Sequence, residues 1–325
     1  MTAAGSPGTS PSAASSEDLA REFEELRAVL VGAAYRVLGS TSDSEDVVQE
    51  AWLRWSGVDR EQVRDPRAFL LTTTTRLALN RLRQVRSRRE DYVGPWLPEP
   101  IATASAAASA TDGAEAVELA DSVSMAMLVV LETLSPLERA TFVLHDVFDV
   151  PFAEIAGSLG RTDAAVRQLA HRARSHVQAR RPRQPVDRAR HRAVTERFLA
   201  AAAEGDVEGV LSLLAPEVVL VSDGGGLKKA ALRPIVGAEK VVRWLFGVLA
   251  HPDVDDLTAR VAEVNGELAV LSFAGDTLDT VTFLTVEVQG ITALHAVRNP
   301  DKLAALSGLR AQSMSERRTG TRPSS

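Results

Sequence analysis

The residues of this 325-residue chain that are best suited to chemistry are its clustered arginines. Residues 76–89 contain six arginines and no acid, and residues 161–183 contain seven arginines against the single Asp163. Guanidinium groups bind phosphate oxygens through paired hydrogen bonds. Although the net charge of the chain is −6, the two clusters indicate nucleic-acid binding, because the local distribution of charge decides contact with phosphates. A solvated helix face is the alternative for either cluster alone.

The histidines and glycines do not form a metal or nucleotide motif. His171 and His176 are five residues apart, whereas two ligands on one helix face are four apart. The glycines after Asp223 lack the spacing of a phosphate-binding loop. With no cysteine in the chain, disulfides and thiolate sites are excluded. We predict no metal ion and no cofactor.

The first arginine cluster belongs to a pattern of three helices. Residues 19–38 carry apolar side chains at helical spacing and stop at Gly39. A second helix, capped by Ser42 or Asp43, has one apolar stripe that includes Trp52 and an acidic face. The third helix starts near Pro66 and runs into the arginines. We therefore expect a helical domain with an acidic and a basic surface.

The second cluster lies in a helix-turn-helix pattern. Residues 152–159 form a short predicted helix, Gly160 marks the turn, and a longer helix follows from Thr162 to about residue 180. The linker before it, residues 87–112, is rich in proline, alanine and serine but contains Trp96 and Leu97. We expect these two apolar side chains to pack on a neighbouring domain.

The last third of the chain alternates helices with β-rich segments. Strands are predicted at residues 218–221, 259–264, 268–273, 280–288 and 291–297, with Asn265-Gly266 and Gln289-Gly290 as hairpin turns. This order predicts an α+β domain whose curved antiparallel sheet encloses a pocket. Alternation places His295 on one face with Ile291, Ala293 and Val297.

Three segments, residues 42–55, 65–83 and 134–174, resemble the two domains of extracytoplasmic-function (ECF) sigma factors of the sigma-70 class. The motifs WLPEP (96–100), DGGG (223–226) and NPDKL (299–303) resemble those of the SigJ-like group, which carries a C-terminal SnoaL-like domain. In this group a lysine usually follows the glycines, whereas Leu227 stands there in this chain.

The resemblance implies a layout of six segments. Residues 1–16 and 311–325 are expected to be disordered tails, 17–86 sigma domain 2, 87–112 the linker, 113–181 sigma domain 4, and 187–310 the SnoaL-like domain. Sigma domains 2 and 4 would be all-α, the first with three helices and the second with the helix-turn-helix.

The resemblance also implies roles for individual residues. The largest subunit of core RNA polymerase would be bound, through its clamp, by Asp46, Gln49 and Glu50. The minus-10 element would be bound by Arg76, Asn80 and Arg83. In the minus-35 element, bases would be contacted by Arg167, Gln168 and His171, and phosphates by Arg172 and Arg174. An interdomain regulatory site would be formed by Trp96, Leu97, Asp223, Gly224, Gly225, Gly226, Asn299, Pro300, Asp301, Lys302 and Leu303.

The function predicted from these residues is that of an alternative sigma factor, regulated in cis by its C-terminal domain and not itself an enzyme. No apolar run reaches the length that crosses a bilayer, so we expect a cytoplasmic protein with no membrane partner. Two alternatives stay open. One is a helix-turn-helix regulator that acts without polymerase. The other is a SnoaL-type cyclase or isomerase on a DNA-binding module, with Asp276, Asp279 and His295 as its titratable residues.

Overall fold

The computed structural model describes residues 16–89, 92–102, 124–180, 184–250 and 257–309. Both expected tails and most of the low-complexity part of the linker therefore lie outside the described residues. The chain divides into two compact units. Unit 1 comprises residues up to 38, 42–82 and 136–173, and unit 2 comprises residues 39–41, 83–135 and 174 onwards.

The described residues form eleven α-helices. They are α1 (Ser16–Leu38), α2 (Thr41–Trp55), α3 (Pro66–Arg89), α4 (Met125–Glu132), α5 (Pro136–Phe142), α6 (Phe152–Leu159), α7 (Asp163–Arg180), α8 (Arg188–Glu204), α9 (Val207–Leu213), α10 (Ala238–Leu249) and α11 (Pro300–Leu303). The predicted start of the helix before Pro136, at Ala114, lies outside the described residues. Short 3-10 turns span Arg60–Gln62 and Ala304–Leu306, and a π-helical turn at Val143–Val147 extends α5. Among the described residues, no helix has the length and apolar character needed to span a membrane.

Unit 1 is held together by an all-helical core. Trp55 of α2 is fully buried, and its indole Nε1 donates a hydrogen bond of 2.9 Å to the carbonyl of Leu19. Arg139 of α5 is also buried and donates to the carbonyl of Val37 at the end of α1, over 2.8 Å. Gly160 ends α6 in the left-handed conformation, with φ of 61°, which a residue with a Cβ adopts only at a cost. The predicted helix-turn-helix is therefore formed.

Unit 2 contains a sheet of six strands in its described part. They are β1 (Leu214–Asp223), β2 (Ile235–Val236), β3 (Leu257–Val264), β4 (Glu267–Ala274), β5 (Thr277–Glu287) and β6 (Gly290–Val297), in the spatial order β2-β1-β6-β5-β4-β3. The predicted antiparallel sheet is formed by β3 to β6, but β1 and β6 are parallel, so the sheet as a whole is mixed. The meander of β3 to β6 starts at the far edge and returns its last strand beside β1 in the same direction.

The two faces of this sheet have different covers. The inner face, which carries Val218, Leu284 and Leu294, packs against α8, α9 and α10. The outer face packs against linker residue Leu97, against Met125 of α4, and against the segment after β6 that contains Leu303 and Leu306. Leu97 and Met125 are 2% and 0% exposed. Leu97, within the linker, and Met125, after it, are thus anchored on one surface.

The expected placement of His295 was partly wrong. A register shift between Thr285 and Val286 of β5 lies opposite Thr292 of β6. Because a strand alternates its side chains with a period of two, this irregularity moves Ile291 to the inner face. His295 does not share a face with Ile291.

Candidate polymerase, DNA and linker contacts

The acidic face of α2 is exposed, as its amphipathic pattern predicts. Asp46, Gln49 and Glu50 are all exposed, while Val47 and Val48 are buried. Asp46 lies 3.7 Å from a guanidinium nitrogen of Arg81, and Glu50 lies 2.8 Å from Arg54 on its own helix. Exposed pairs of this kind contribute little to stability, so these carboxylates can exchange one partner for another.

A groove of about 310 Å³ runs between α1 and α2. Asp46 and Gln49 line it, together with Phe23 and Trp52, whose ring centroids are 5.2 Å apart. Glu50 is not among the residues that line the groove. Trp52 is only half-buried, so it is part of this surface as well as a packing residue.

The basic face of α3 is also exposed. Arg76, Asn80 and Arg83 are separated by four and three residues, and all three side chains are exposed on one side of the helix. The opposite side is buried by Leu77 and Leu82. This arrangement presents two guanidinium groups and one amide along a single line, as a nucleic-acid strand requires.

The five candidate DNA-binding residues of α7 differ in their surroundings. Gln168 and His171 are exposed. Arg167 is exposed and pairs with Asp163 at 2.8 Å, one turn earlier. Arg172 instead binds Glu138 at 2.8 Å, and only 9% of the Glu138 side chain is exposed.

Arg174 is half-buried. The helix therefore offers Arg167, Gln168 and His171 to a ligand more readily than it offers Arg172 and Arg174.

In unit 2, Asp223 at the end of β1 is the centre of a buried polar cluster. Its carboxylate is fully buried and accepts four hydrogen bonds. The donors are the Tyr92 hydroxyl at 2.6 Å, the Leu97 backbone N–H at 2.8 Å, the Gly225 N–H at 3.1 Å and the Lys302 ammonium at 2.7 Å. We name this set of residues the Asp223 cluster.

Aromatic rings complete the cluster around the lysine. The ammonium nitrogen of Lys302 lies 3.9 Å from the centroid of the Trp96 ring and 5.1 Å from that of Tyr92. Such cation–π contacts strengthen as water is excluded. Asn299 donates from Nδ2 to the Tyr92 hydroxyl over 2.9 Å. The sequence motifs at residues 96–100, 223–226 and 299–303 are thus brought together.

The glycines after Asp223 are required by close contacts. A Cβ on Gly224 would lie 2.2 Å from the carbonyl oxygen of Lys228, and one on Gly225 would lie 2.3 Å from Nδ2 of Asn299. Gly225 and Gly226 also have φ values of 60° and 74°, in the left-handed region. A side chain at Gly224 would therefore force the backbone at Lys228 to move, and one at Gly225 would displace Asn299.

The remaining residues of the NPDKL segment have structural roles. Asn299 caps α11 by accepting a hydrogen bond of 3.0 Å from the Asp301 N–H, and Pro300 occupies the first turn. Leu303 is buried in the outer-face core. Pro300 and Asp301 are exposed and do not contact Asp223.

The lysines that follow Leu227 do not join the Asp223 cluster. Leu227 is 63% exposed, and Lys228 binds Asp279 at 3.0 Å. Arg298 binds the same carboxylate at 2.8 Å. Burial works against ionisation of Asp279, but the Thr280 hydroxyl and these two cations together hold its pKa below the ordinary value.

Sequence reasoning missed two members of the linker site. Tyr92 donates to Asp223, and Glu99 accepts hydrogen bonds of 2.7 Å from both the N–H and the hydroxyl of Thr41. Tyr92 is one of only two tyrosines in the chain, and its position four residues before Trp96 was the available signal. Glu99 lies inside the recognised motif, but its partner is not predictable from periodicity.

The three titratable residues considered for catalysis have separate environments. Asp276 is exposed in the turn between β4 and β5. Asp279 is neutralised by Lys228 and Arg298. His295 lies on the outer face of the sheet. A cavity of about 550 Å³, which we call the cone cavity, lies between the inner face of the sheet and helices α8 and α10, and it is lined by Leu294 and Ala296 of the same strand.

Comparison with known proteins identifies the family. Residues 23–89 match the model of sigma-70 region 2, and residues 124–177 match that of sigma-70 region 4. Over 295 residues the chain is 42% identical to the ECF RNA polymerase sigma factor SigJ of Mycobacterium tuberculosis, covering 86% of this chain and 92% of that protein. The chain belongs to the ECF sigma factors. Members of this family are alternative sigma factors that direct promoter-specific transcription.

One further relative and one solved structure support this assignment of the ECF sigma factor. The probable ECF RNA polymerase sigma factor SigI of Mycobacterium tuberculosis is 36% identical over 284 residues, covering 86% of this chain and 93% of that protein. The crystal structure of Mycobacterium tuberculosis SigJ superposes with a TM-score of 0.71 at 38% identity, covering 89% of this chain and 99% of that one. The order of two helical sigma regions followed by an α+β domain is therefore confirmed.

Proposed function

We propose that this ECF sigma factor binds core RNA polymerase through α2, contacts promoter DNA through α3 and α7, and is regulated in cis by its C-terminal domain. The observation that carries the regulatory part is the hydrogen bond from the backbone N–H of Leu97 to the buried carboxylate of Asp223. It joins the linker to the sheet of the C-terminal domain through a main-chain group that substitution of Leu97 cannot remove.

The exposed faces support the binding roles. Asp46 and Gln49 border the groove between α1 and α2, where a helical element of the polymerase clamp would find both carboxylate and aromatic partners. Arg76, Asn80 and Arg83 suit a single-stranded backbone and an unpaired base at the minus-10 element. Arg167, Gln168 and His171 suit base edges of the minus-35 element in the major groove.

The linker supports regulation in cis. Region 2 ends its match at residue 89 and region 4 begins at residue 124. Leu97 and Met125 are both buried on the outer face of the sheet. A linker held at these two points restricts the distances between regions 2 and 4 that promoter binding requires, so release or retention of the Asp223 cluster would change transcription.

A catalytic role for the C-terminal domain is not part of this proposal. The cone cavity is lined almost wholly by apolar side chains, and its polar members are Glu196, Ser272 and Thr282. His295 lines a different cavity, on the outer face. An imidazole that does not reach the enclosed pocket cannot transfer a proton to a substrate bound there.

Run-off transcription with core polymerase tests the proposal. We expect the full chain to support promoter-specific transcription, and Asp223→Asn to change the yield without changing the yield's dependence on promoter sequence. Asp301→Ala, at an exposed position two residues from Asn299, is the matched control and should behave as the unaltered chain. Absence of any association with core polymerase would instead favour a stand-alone helix-turn-helix regulator. An Asp223→Asn variant identical to the control would reject regulation through this cluster.

A further inference from the structure

A second cavity of unit 2 lies between α4 and the outer face of the sheet. Its volume is about 250 Å³, and it is separate from the cone cavity. Ala126, Val129 and Val130 of α4 supply apolar surface, and Glu287 and His295 supply polar groups from the strands. At the liquid's share of about 30 Å³ per water, this volume holds about eight non-hydrogen atoms.

His295 is the polar group of this cavity that lacks a partner. Its side chain is buried, with 7% of the residue exposed. Among the described residues nothing forms a hydrogen bond with it, and its Nδ1 atom is inaccessible to water. Buried polar atoms in folded proteins are nearly always hydrogen-bonded, because an unpaired one costs free energy. Because Nδ1 is enclosed by protein atoms, Nε2 is the ring nitrogen with which a group in the cavity can pair.

The charge state of His295 limits what that group can be. Burial lowers its pKa to about 4, so the ring is neutral near pH 7. A neutral imidazole has one N–H donor and one nitrogen acceptor. A hydroxyl group, which both donates and accepts, can pair with Nε2 in either tautomer of the ring, whereas an ammonium or a carboxylate brings a charge that the buried ring does not neutralise.

The other polar groups of the cavity already have partners or water. Glu287 accepts hydrogen bonds of 3.1 Å from the Gln184 N–H and from the Thr292 hydroxyl. The Thr133 hydroxyl donates to the carbonyl of Val130 over 2.7 Å. Arg180 borders the cavity but is exposed, so water solvates its guanidinium. His295 remains as the anchor for a ligand, and the side chains of α4 form the apolar wall.

We propose that this cavity binds a small uncharged compound with one hydroxyl group, hydrogen-bonded to His295, and an apolar body that packs against α4. Phenol, with seven non-hydrogen atoms, is the simplest probe of this chemistry. Because α4 lies within the region 4 match and also packs on the C-terminal sheet, an occupied cavity would strengthen the attachment of this helix to the sheet.

The test is a titration of the full chain followed by calorimetry and by the imidazole resonances in NMR. We expect phenol to bind at one site and to shift the His295 resonances. Toluene, which replaces the hydroxyl with a methyl group, and benzoate, which carries a charge, should each bind at least tenfold more weakly.

Two matched variants locate the site. Ala126→Phe fills the outer cavity and should weaken phenol binding at least tenfold. Ala202→Phe makes the same change at another half-buried helical alanine, which lines the cone cavity, and should leave the affinity within twofold. If Ala126→Phe does not fold, His295→Leu carries the same expectation, because it removes the hydrogen bond and keeps an apolar side chain.

Three outcomes would overturn the proposal. Equal affinity for phenol and toluene would show that His295 does not select a hydroxyl. Loss of binding in Ala202→Phe but not in Ala126→Phe would place the site in the cone. No binding of phenol at any concentration up to its solubility would mean that the cavity holds water only.

Discussion

The ammonium nitrogen of Lys302 lies 2.7 Å from Oδ2 of Asp223 and 3.9 Å from the centre of the Trp96 ring. Both partners of this ion pair are buried, since 7% of the lysine side chain and none of the aspartate side chain is exposed. One cation thus connects the linker, the loop after β1 and the segment after β6. Because the pair is buried, removing one charge leaves the other buried without a counter-charge.

Substitution of the lysine should therefore be costly. Lys302→Met leaves the Asp223 carboxylate buried without a counter-charge and should lower the free energy of unfolding of unit 2 by about 3–5 kcal/mol. Urea titration followed by tryptophan fluorescence measures the change, because Trp96 and Trp244 belong to this unit. Lys240→Met, at an exposed position on α10, should change stability by less than about 0.5 kcal/mol. Equal effects of the two variants would contradict a stabilising role for the pair.

Two arginines of α7, Arg167 and Arg172, should separate stability from DNA binding. Arg172→Ala removes a charged partner from the nearly buried carboxylate of Glu138, and should lower the free energy of unfolding by about 1–3 kcal/mol. Arg167→Ala breaks only an exposed pair with Asp163, and should cost less than about 1 kcal/mol of stability. In promoter-variant binding assays, Arg167→Ala should weaken the free energy of DNA binding by about 1–3 kcal/mol and relax the preference for one base pair. If Arg172→Ala alone relaxes base preference, the roles are reversed.

Charge reversal on α2 should weaken polymerase binding. Asp46 is exposed and lines the groove beside α1, so Asp46→Lys should preserve the fold and reduce co-elution with core polymerase in gel filtration. Glu204→Lys makes the same change of charge at an exposed position at the end of α8 and should not alter co-elution. A loss in both variants would point to overall charge, not to the α2 surface.

Two buried groups should give opposing contributions to stability between about pH 5 and 6.5. Burial raises the pKa of Glu267 to about 7, although its carboxylate accepts a hydrogen bond from the Met125 N–H. Its folded-state pKa exceeds the unfolded value, so its contribution falls as pH rises towards 7. Burial lowers the pKa of His295 to about 4. Its contribution therefore rises between pH 4 and the unfolded value of about 6.5.

Single variants should reveal each contribution. From pH 5 to 6.5, the stability of Glu267→Gln should rise by about 1–2 kcal/mol relative to the unaltered chain, because the opposing contribution of Glu267 is removed and that of His295 remains. The stability of His295→Phe should fall by a similar amount relative to the unaltered chain over the same pH range. Urea midpoints at several pH values measure both slopes. Parallel profiles for the unaltered chain and both variants would show that neither group titrates as its burial implies.

Two glycines with similar backbones should respond differently to alanine. Gly225 and Gly275 have φ values of 60° and 58°. A Cβ at Gly225 would meet Asn299, whereas a Cβ at Gly275 would meet nothing within 4 Å. Gly275→Ala should cost about 1 kcal/mol for the left-handed backbone alone. Gly225→Ala should cost at least about 1 kcal/mol more in thermal or urea unfolding, and equal costs would show that the loop adjusts freely.

The helical part of the fold was predictable because its signals are local. In α7, for example, Val166, Ala170 and Ala173 recur at helical spacing in the sequence and are all buried in the structure. The family assignment followed from segments of this kind and was also confirmed. The roles of individual polymerase- and DNA-binding residues remain predictions.

The sheet was less predictable because its pairing is not local. The parallel pairing of β1 with β6 joins residues about 75 positions apart, as in the register of Asp223 with Val297. A single irregularity at Thr292 places His295 and Ile291 on different faces of the sheet. The alternation of side chains in the sequence does not predict such an irregularity. The partners of Asp223 were not predictable for the same reason, because Tyr92 precedes it by 131 residues and Lys302 follows it by 79.

The parallel pairing of β1 with β6 also determines where this domain tolerates change during evolution. The loops that follow both strands emerge at the same edge of the sheet, with Asp223 opposite Val297. Insertions in the exposed turn at Gly275, between β4 and β5, would lengthen the chain between the two motifs without altering that register. The sheet therefore keeps the linker-binding residues together while this exposed turn is free to diverge between relatives.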